Sequence, residues 1–465
     1  MVVGLPPDGL SPAWEKDFSA YPPAGVIVFR RDFADLEALR HLTRRLRTLA
    51  RPRRIFAGID EEGGFVSQLA GHLVVPPNAL TLARGSAPGD VERAAHVTGQ
   101  RLRGLGLDWV FAPVADIHSR AQNPVIGPRA FGTGPAEVSG AVTEALRGYR
   151  RAGIASCLKH FPGHGDTAVD SHLALPHCDA TLEVVEHREL VPFRDHPDAD
   201  AIMTSHVVFD AFDRERPATF SRAIIHQLLR EHLGFRGIAI TDALEMKGAA
   251  EGRSLVDGAR LALEAGCDLL LFASHDEHLR RTRLELARLL TGGTIDRASF
   301  DAARLRLMAF DRKISEPSDE ELSRPLPSLT PPGWETWLEA IVERSLRIEG
   351  ALPESARSGS WRVSEPEFSH GPTLRAALAE QGVTVSDDGA ALHVIARASR
   401  LPQPADELER LRSLCRERPT ALVGLQNDGW LAEIPEGALR ISAADATPLT
   451  RRVVARALAR ARSCV

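Results

Sequence analysis

Short apolar runs rich in β-branched residues recur through the first two-thirds of the chain, at 2–5, 25–29, 55–59, 109–113, 155–160, 201–205, 238–241 and 268–272. Each has the length of a buried strand. Between most of them, at 35–49, 90–105, 136–151, 222–233 and 254–265, the apolar residues fall three and four apart, as on one face of a helix. Eight strands alternating with helices predict parallel βαβ units, and eight is the number that closes a TIM-type (β/α)8 barrel. An open doubly wound sheet is the alternative reading of the same periodicity.

A helical stretch around 297–312 ends this pattern. The segment 314–333 that follows is rich in Pro, Ser and Glu and reads as a linker. Beyond it, strand-like runs at 361–363, 392–395, 421–425 and 439–442 are separated by helical stretches around 374–380, 407–416 and 449–462. The expected organisation is a catalytic barrel over 1–313, a linker over 314–333 and a smaller α/β sandwich domain over 334–465.

Composition narrows the classes of function. Of 465 residues, 43% are apolar and 26% charged, and the net charge of -5 comes from interleaved signs, so no footprint for nucleic acid stands out. The most Arg-rich run, Arg44 to Arg54, closes a helix that opens with Asp35 and Glu37, and it reads as a solvated face. Five scattered cysteines without a Cys-x-x-Cys suggest neither a disulfide framework nor a thiolate zinc site. The opening Met1-Val2-Val3-Gly4-Leu5-Pro6-Pro7 lacks the pattern of a signal peptide, and no run approaches the roughly 18 apolar residues of a membrane span. A cytoplasmic protein with no membrane or nucleic-acid partner is expected; the oligomeric state is not legible.

Polar and Gly-rich signals cluster just after the strands: Asp60-Glu61-Glu62-Gly63-Gly64, the segment after His160, His206, and Asp242. In a barrel those strand ends converge on the catalytic face. The most informative stretch is Lys159-His160-Phe161-Pro162-Gly163-His164-Gly165-Asp166-Thr167, continuing to Asp170-Ser171-His172. Two glycines and a proline make it a loop, and it crowds six ionisable side chains together, for which a packed core has no use. Asp170 and His172 are spaced so that a turn can bring carboxylate and imidazole together, favouring the imidazolium and poising the other ring nitrogen for proton transfer. Alone, an Asp-x-His is more often a loop histidine with a capping aspartate; within this string it reads as an acid/base pair. A metal site from His160, His164 and His172 is a further alternative, without the helix-borne spacing usual for such ligands.

The second constellation is Gly237-Ile238-Ala239-Ile240-Thr241-Asp242-Ala243-Leu244-Glu245-Met246. An apolar strand runs directly into Asp242, where a carboxylate could attack an anomeric carbon. A helix N-cap is the simpler reading of that segment taken alone.

Together these strings resemble glycoside hydrolase family 3, in its branch of bacterial β-N-acetylhexosaminidases. The resemblance runs through essentially all of 1–313 and includes Phe111-Ala112-Pro113-Val114-Ala115-Asp116 and Asn123-Pro124-Val125-Ile126-Gly127-Pro128-Arg129. It implies a retaining double displacement in which Asp242 is the nucleophile and His172, paired with Asp170, is the acid/base. Asp60, Arg129, Lys159 and His160 would then hold sugar hydroxyls, and His206 would line the same site. No cofactor and no metal are implied.

The chain departs from the family pattern at Phe65 and Gln68, where an Arg-Val-x-Arg sequence is usual, and the lost guanidinium fork puts the sugar preference in question. Gln68 could replace part of it. Ala243 stands where many relatives carry a second Asp, and the usual helix before the first strand is missing, which hints at a late start codon. The expected activity is removal of terminal β-linked N-acetylglucosamine from peptidoglycan or chitin fragments, a small saccharide being the partner. The alternatives are phosphorolysis or an altered sugar preference, and a non-catalytic carbohydrate-binding protein.

Overall fold

The computed structural model describes residues 1–169, 174–274, 277–388, 391–399, 403–434 and 438–463. The first eight apolar runs form eight parallel strands: β1 (Val2–Val3), β2 (Gly25–Val28), β3 (Phe56–Ile59), β4 (Trp109–Val110), β5 (Ala155–Phe161), β6 (Ala201–Thr204), β7 (Ile238–Ala243) and β8 (Leu269–Phe272). Each pairs with its neighbour in sequence, and β1 pairs with both β2 and β8, so the sheet is a closed barrel. The doubly wound alternative is excluded by that closure.

Helices α1 (Pro12–Ala20), α2 (Leu36–Ala50), α3 (Asp90–Gly104), α4 (Pro135–Ala152) and α5 (Leu255–Ala265) link successive strands. The strands are buried along their whole length except at Asp242 and Ala243, because both faces are covered. Two connections differ in detail from the expected helices: π-helical turns run over Val185–Glu189 and Ala223–His232.

The amino-terminal end of the barrel is plugged. Phe56 and Trp109 open their strands, and Phe310 of the helix Arg297–Lys313 packs its ring 4.8 Å from the first and 5.0 Å from the second. With that end filled by aromatic rings, the carboxyl end is where polar side chains gather.

The solvated-face reading of the run Arg44 to Arg54 holds for Arg44, Arg45, Arg51 and Arg53, which are exposed, and fails at Arg47. Arg40 and Arg47 are buried. Arg47 pairs with the fully buried Asp108 at 2.9 Å, while Arg40 donates to Gly104 O and Arg324 O, and Arg44 to Leu322 O. The segment 314–333, read as a linker, is largely strapped to the barrel. Leu322 and Leu329 are buried, Arg103 holds Glu321, and Arg101 donates to Leu329 O.

The chain resolves into two compact units, and the division is more interleaved than a single boundary at 313. The first comprises Met1–Glu62, Gly89–Ile126 and Thr133–Pro331; the second comprises Gly63–Pro88, Gly127–Gly132 and Pro332–Val465. The second unit holds a five-stranded sheet: β9 (Arg347–Glu349), β10 (Trp361–Ser364), β11 (Leu392–Arg397), β12 (Thr420–Gly424) and β13 (Leu439–Ser442), in the order β9-β13-β12-β11-β10 with only β9 antiparallel. Within it, Gly63–Pro88 is bound tightly: Asn78 takes up Ala444 O and Asp445, and Thr81 donates to Ala443 O. Among the described residues no helix is long and apolar enough to cross a membrane.

Candidate active site

Five of the sequence-predicted residues stand together at the carboxyl end of the barrel. Asp60 follows β3, Lys159 and His160 lie on β5, His206 follows β6, and Asp242 sits in β7. Lys159 places its Nζ 2.6 Å from Asp60 Oδ1 and 2.7 Å from Glu62 Oε1. Its side chain is 3% exposed and that of Glu62 is 5% exposed. A buried ammonium between two carboxylates is tolerated only when such contacts replace its hydration, and here they fix Lys159 and Asp60 as one unit.

His160 is oriented from behind. Its Nδ1 lies 2.7 Å from Asp116 Oδ2, and Asp116 Oδ1 accepts the backbone N–H of His160 at 3.1 Å and of His164 at 2.7 Å. Burial alone would raise the Asp116 pKa; His160, His164 and those N–H donors outweigh it and hold the carboxyl below the usual range. An ionised carboxylate only accepts, so His160 carries its proton on Nδ1. The Lys159–His160 and Phe161–Pro162 peptides are cis.

His206 is held between Thr219 Oγ1, 2.9 Å from Nδ1, and the Ala243 carbonyl oxygen, 3.0 Å from Nε2. A carbonyl only accepts, so Nε2 is protonated and donates. Asp242, half-buried, accepts the Ala243 N–H at 2.7 Å. Burial works against its charge, yet His160, His206, the Ala243 N–H and Lys159 together depress its pKa. The result is an anionic carboxylate at a strand end, ringed by cationic or N–H-bearing groups.

The remaining predicted residues separate into two sets. Gln68 and Arg129 lie on segments grouped with the second unit. There Gly64 has φ +56° and its Cβ would overlap Asn78 Oδ1, so only glycine allows Phe65 N to reach that oxygen at 3.1 Å. Arg129 ends a short 3-10 turn, Gly127–Arg129. Asp170 and His172 lie outside the described residues. The loop leading to them is described through Val169. Asn123 Nδ2 sits within hydrogen-bond reach of His164 O, Gly165 O and Thr167 O, at 2.8, 3.2 and 3.0 Å. Among the described residues no group of three or more His, Cys, Asp or Glu is arranged to hold a metal ion.

Sequence reasoning assigned no role to Asp116, Glu62, Thr219 or Asn123. Asp116 and Asn123 both sit in the stretches after β4 that carried the resemblance, which is the one signal that could have singled them out.

A family model described as the glycosyl hydrolase family 3 N-terminal domain matches residues 13–310. The chain belongs to glycosyl hydrolase family 3. Its family, its barrel and its relatives make it a glycoside hydrolase. A protein named beta-hexosaminidase from Chromobacterium violaceum is 38% identical over 302 residues, 63% of this chain and 84% of the relative. One of the same name from Alkalilimnicola ehrlichii is 38% identical over 286 residues, 60% of this chain and 81% of the relative. The solved structure of a glycoside hydrolase family 3 beta-N-acetylglucosaminidase from a Paenibacillus species superposes with a TM-score of 0.85 at 28% identity, covering 99% of this chain and 95% of that one. The family 3 glycoside hydrolase fold therefore spans both units.

Proposed function

We propose that this family 3 glycoside hydrolase is a retaining exo-enzyme that removes terminal β-linked N-acetylglucosamine from peptidoglycan or chitin fragments. Asp242 acts as nucleophile and His172, paired with Asp170, as acid/base; Asp60, Lys159, His160 and His206 serve the sugar site. The observation that carries the reading is the Asp242 carboxylate, kept ionised at the end of β7 by His160, His206, the Ala243 N–H and Lys159. The hexosaminidase names of its relatives support the choice of an acetamido sugar.

In the first step Asp242 bonds to the anomeric carbon as the carbon–oxygen bond to the leaving group breaks, and the His172 imidazolium gives its proton to the departing oxygen. This leaves a glycosyl-aspartate ester and a neutral imidazole. In the second step that imidazole takes a proton from water as the water oxygen attacks the anomeric carbon, releasing Asp242 as a carboxylate. Configuration is retained through two inversions, and no cofactor enters. Few and scattered cysteines, with Cys157, Cys178 and Cys267 buried as thiols, suit a reducing cytoplasm.

The test is turnover of 4-nitrophenyl N-acetyl-β-glucosaminide against the plain β-glucoside, each with and without phosphate. Preference for the acetamido sugar, independent of phosphate, supports the reading. Sugar 1-phosphate in phosphate buffer would make the enzyme a phosphorylase, and saccharide binding without turnover would reduce it to a carbohydrate-binding protein.

A further inference from the structure

Beside the loop that leads toward Asp170 stands a second group of charged residues, none of them among those assigned above to the sugar. Asp166, four residues ahead of Asp170, is gripped from two sides. Arg120 Nε donates to its Oδ1 at 2.8 Å, and Arg188 Nη2 donates to its Oδ2. Arg188 is in turn braced by Glu189, whose Oε1 accepts from Arg188 Nε at 2.6 Å and from Ser119 Oγ at 3.1 Å. Glu189 is 1% exposed, and its Oε2 has no hydrogen-bond partner among the described residues and faces Gly163, where an added Cβ would come within 2.9 Å of it. A Cβ on Gly165 would land 1.5 Å from Ile117 O. The loop is thus held by close backbone packing at its glycines, by Asn123 along its carbonyls, and by the two arginines at Asp166.

An exposed ion pair contributes little, but the carboxylates here are shielded from water, the Asp166 side chain 14% exposed and that of Glu189 1%, while Arg188 and Arg120 are 29% and 34% exposed. Its members reach the loop from the segment after β4 and from the π-helical turn Val185–Glu189, so they define where the loop sits relative to the barrel.

We propose that Arg188 and Glu189 are positioning residues for proton transfer. Arg188 fixes Asp166 and Glu189 fixes Arg188, and the rate of proton transfer by the acid/base pair further along the chain depends on that anchorage. The inference rests on the assignment of Asp170 and His172 made above.

The readout is how strongly the rate depends on the leaving group. A dinitrophenolate departs without a proton, whereas a methoxide needs one, so loss of acid placement slows only the second. The ratio of kcat/KM for methyl and 2,4-dinitrophenyl N-acetyl-β-glucosaminide, measured on one preparation, is independent of the folded fraction. In Arg188→Met the methyl glycoside is expected to lose about 10²-fold and the dinitrophenyl glycoside only about threefold or less, the cost of a small misplacement of a catalytic group. Glu189→Gln should shift the ratio the same way by about tenfold, and Arg188→Lys should lie between these, which covers a failure of Arg188→Met to fold. A core variant such as Leu229→Ala should leave the ratio unchanged. His172→Ala is the reference. If it shifts the ratio and the Arg188 and Glu189 variants do not, the positioning role is overturned. If His172→Ala itself leaves the ratio unchanged, it is the acid/base assignment that fails.

Discussion

Asp116 lies directly behind His160, its Oδ2 2.7 Å from the imidazole Nδ1 and its Oδ1 occupied by two backbone N–H groups. That division of labour makes a sharp prediction for Asp116→Asn. The amide oxygen must face the two N–H donors, which turns the NH2 toward Nδ1 and forces the imidazole proton to Nε2. The exchanged tautomer turns Nε2 of His160 from an acceptor into a donor, and kcat/KM should fall about 10- to 10²-fold with little loss of fold. Nitrogen-15 shifts of His160 check the tautomer, and kinetics on 4-nitrophenyl N-acetyl-β-glucosaminide check the rate.

Lys159 supplies the cation between Asp60 and Glu62. Lys159→Met should leave a buried carboxylate without its partner and destabilise the protein by about 3–5 kcal/mol, beyond any effect on the sugar. Denaturant unfolding at neutral pH measures it. A loss of activity with unchanged stability would show that the pair serves the substrate alone.

Much of this was legible in the chain. The eight barrel strands are apolar because both their faces are covered, and such runs announce themselves without long-range information. Asp60, Lys159, His160, His206 and Asp242 were legible for the same reason, standing where an apolar run meets a loop. What stayed hidden depends on partners far away in sequence. Arg47 looked solvated because its partners, Gly106 and Asp108, lie far along the chain. The segment after residue 313 looked like a tether because much of what anchors it comes from elsewhere in the chain, Arg40, Arg44, Arg51 and the charged pair Arg103–Glu321 among it. Asp116 is one aspartate at a strand end until His160 is folded onto it.

That charged pair carries a pH signature. Glu321 is drawn down to about 2, burial being outweighed by Arg103 and by the Ser318 cap. A depressed carboxyl stabilises the fold above its unfolded value and loses that contribution as the pH falls toward 2. Glu321→Gln should therefore cost about 2 kcal/mol at pH 7, discounted for partial exposure, with the difference from the parent closing in acid. Parallel melting curves across pH would reveal it.

Glu189 should behave in the opposite sense. Burial pushes it up to about 7 against the pull of Arg188 and Ser119, with Asp116 adding to the rise. A raised carboxyl supplies stability that is full below its unfolded value and is lost as the pH rises through the folded one. Between about pH 4.5 and pH 8, Glu189→Gln should become progressively more stable relative to the parent, by up to about 3 kcal/mol. A stability difference that does not change over that window would contradict a buried, titrating Glu189.

A covalent bond to Asp242 is sought by incubating the enzyme with a ring-fluorinated N-acetylglucosaminyl fluoride, whose glycosyl-enzyme forms faster than it hydrolyses, and locating the label by peptide mass spectrometry. One fluorinated N-acetylhexosaminyl adduct is expected on the peptide holding Asp242, absent from Asp242→Ala. An adduct on another residue, or steady turnover with inverted product and no adduct, would contradict it.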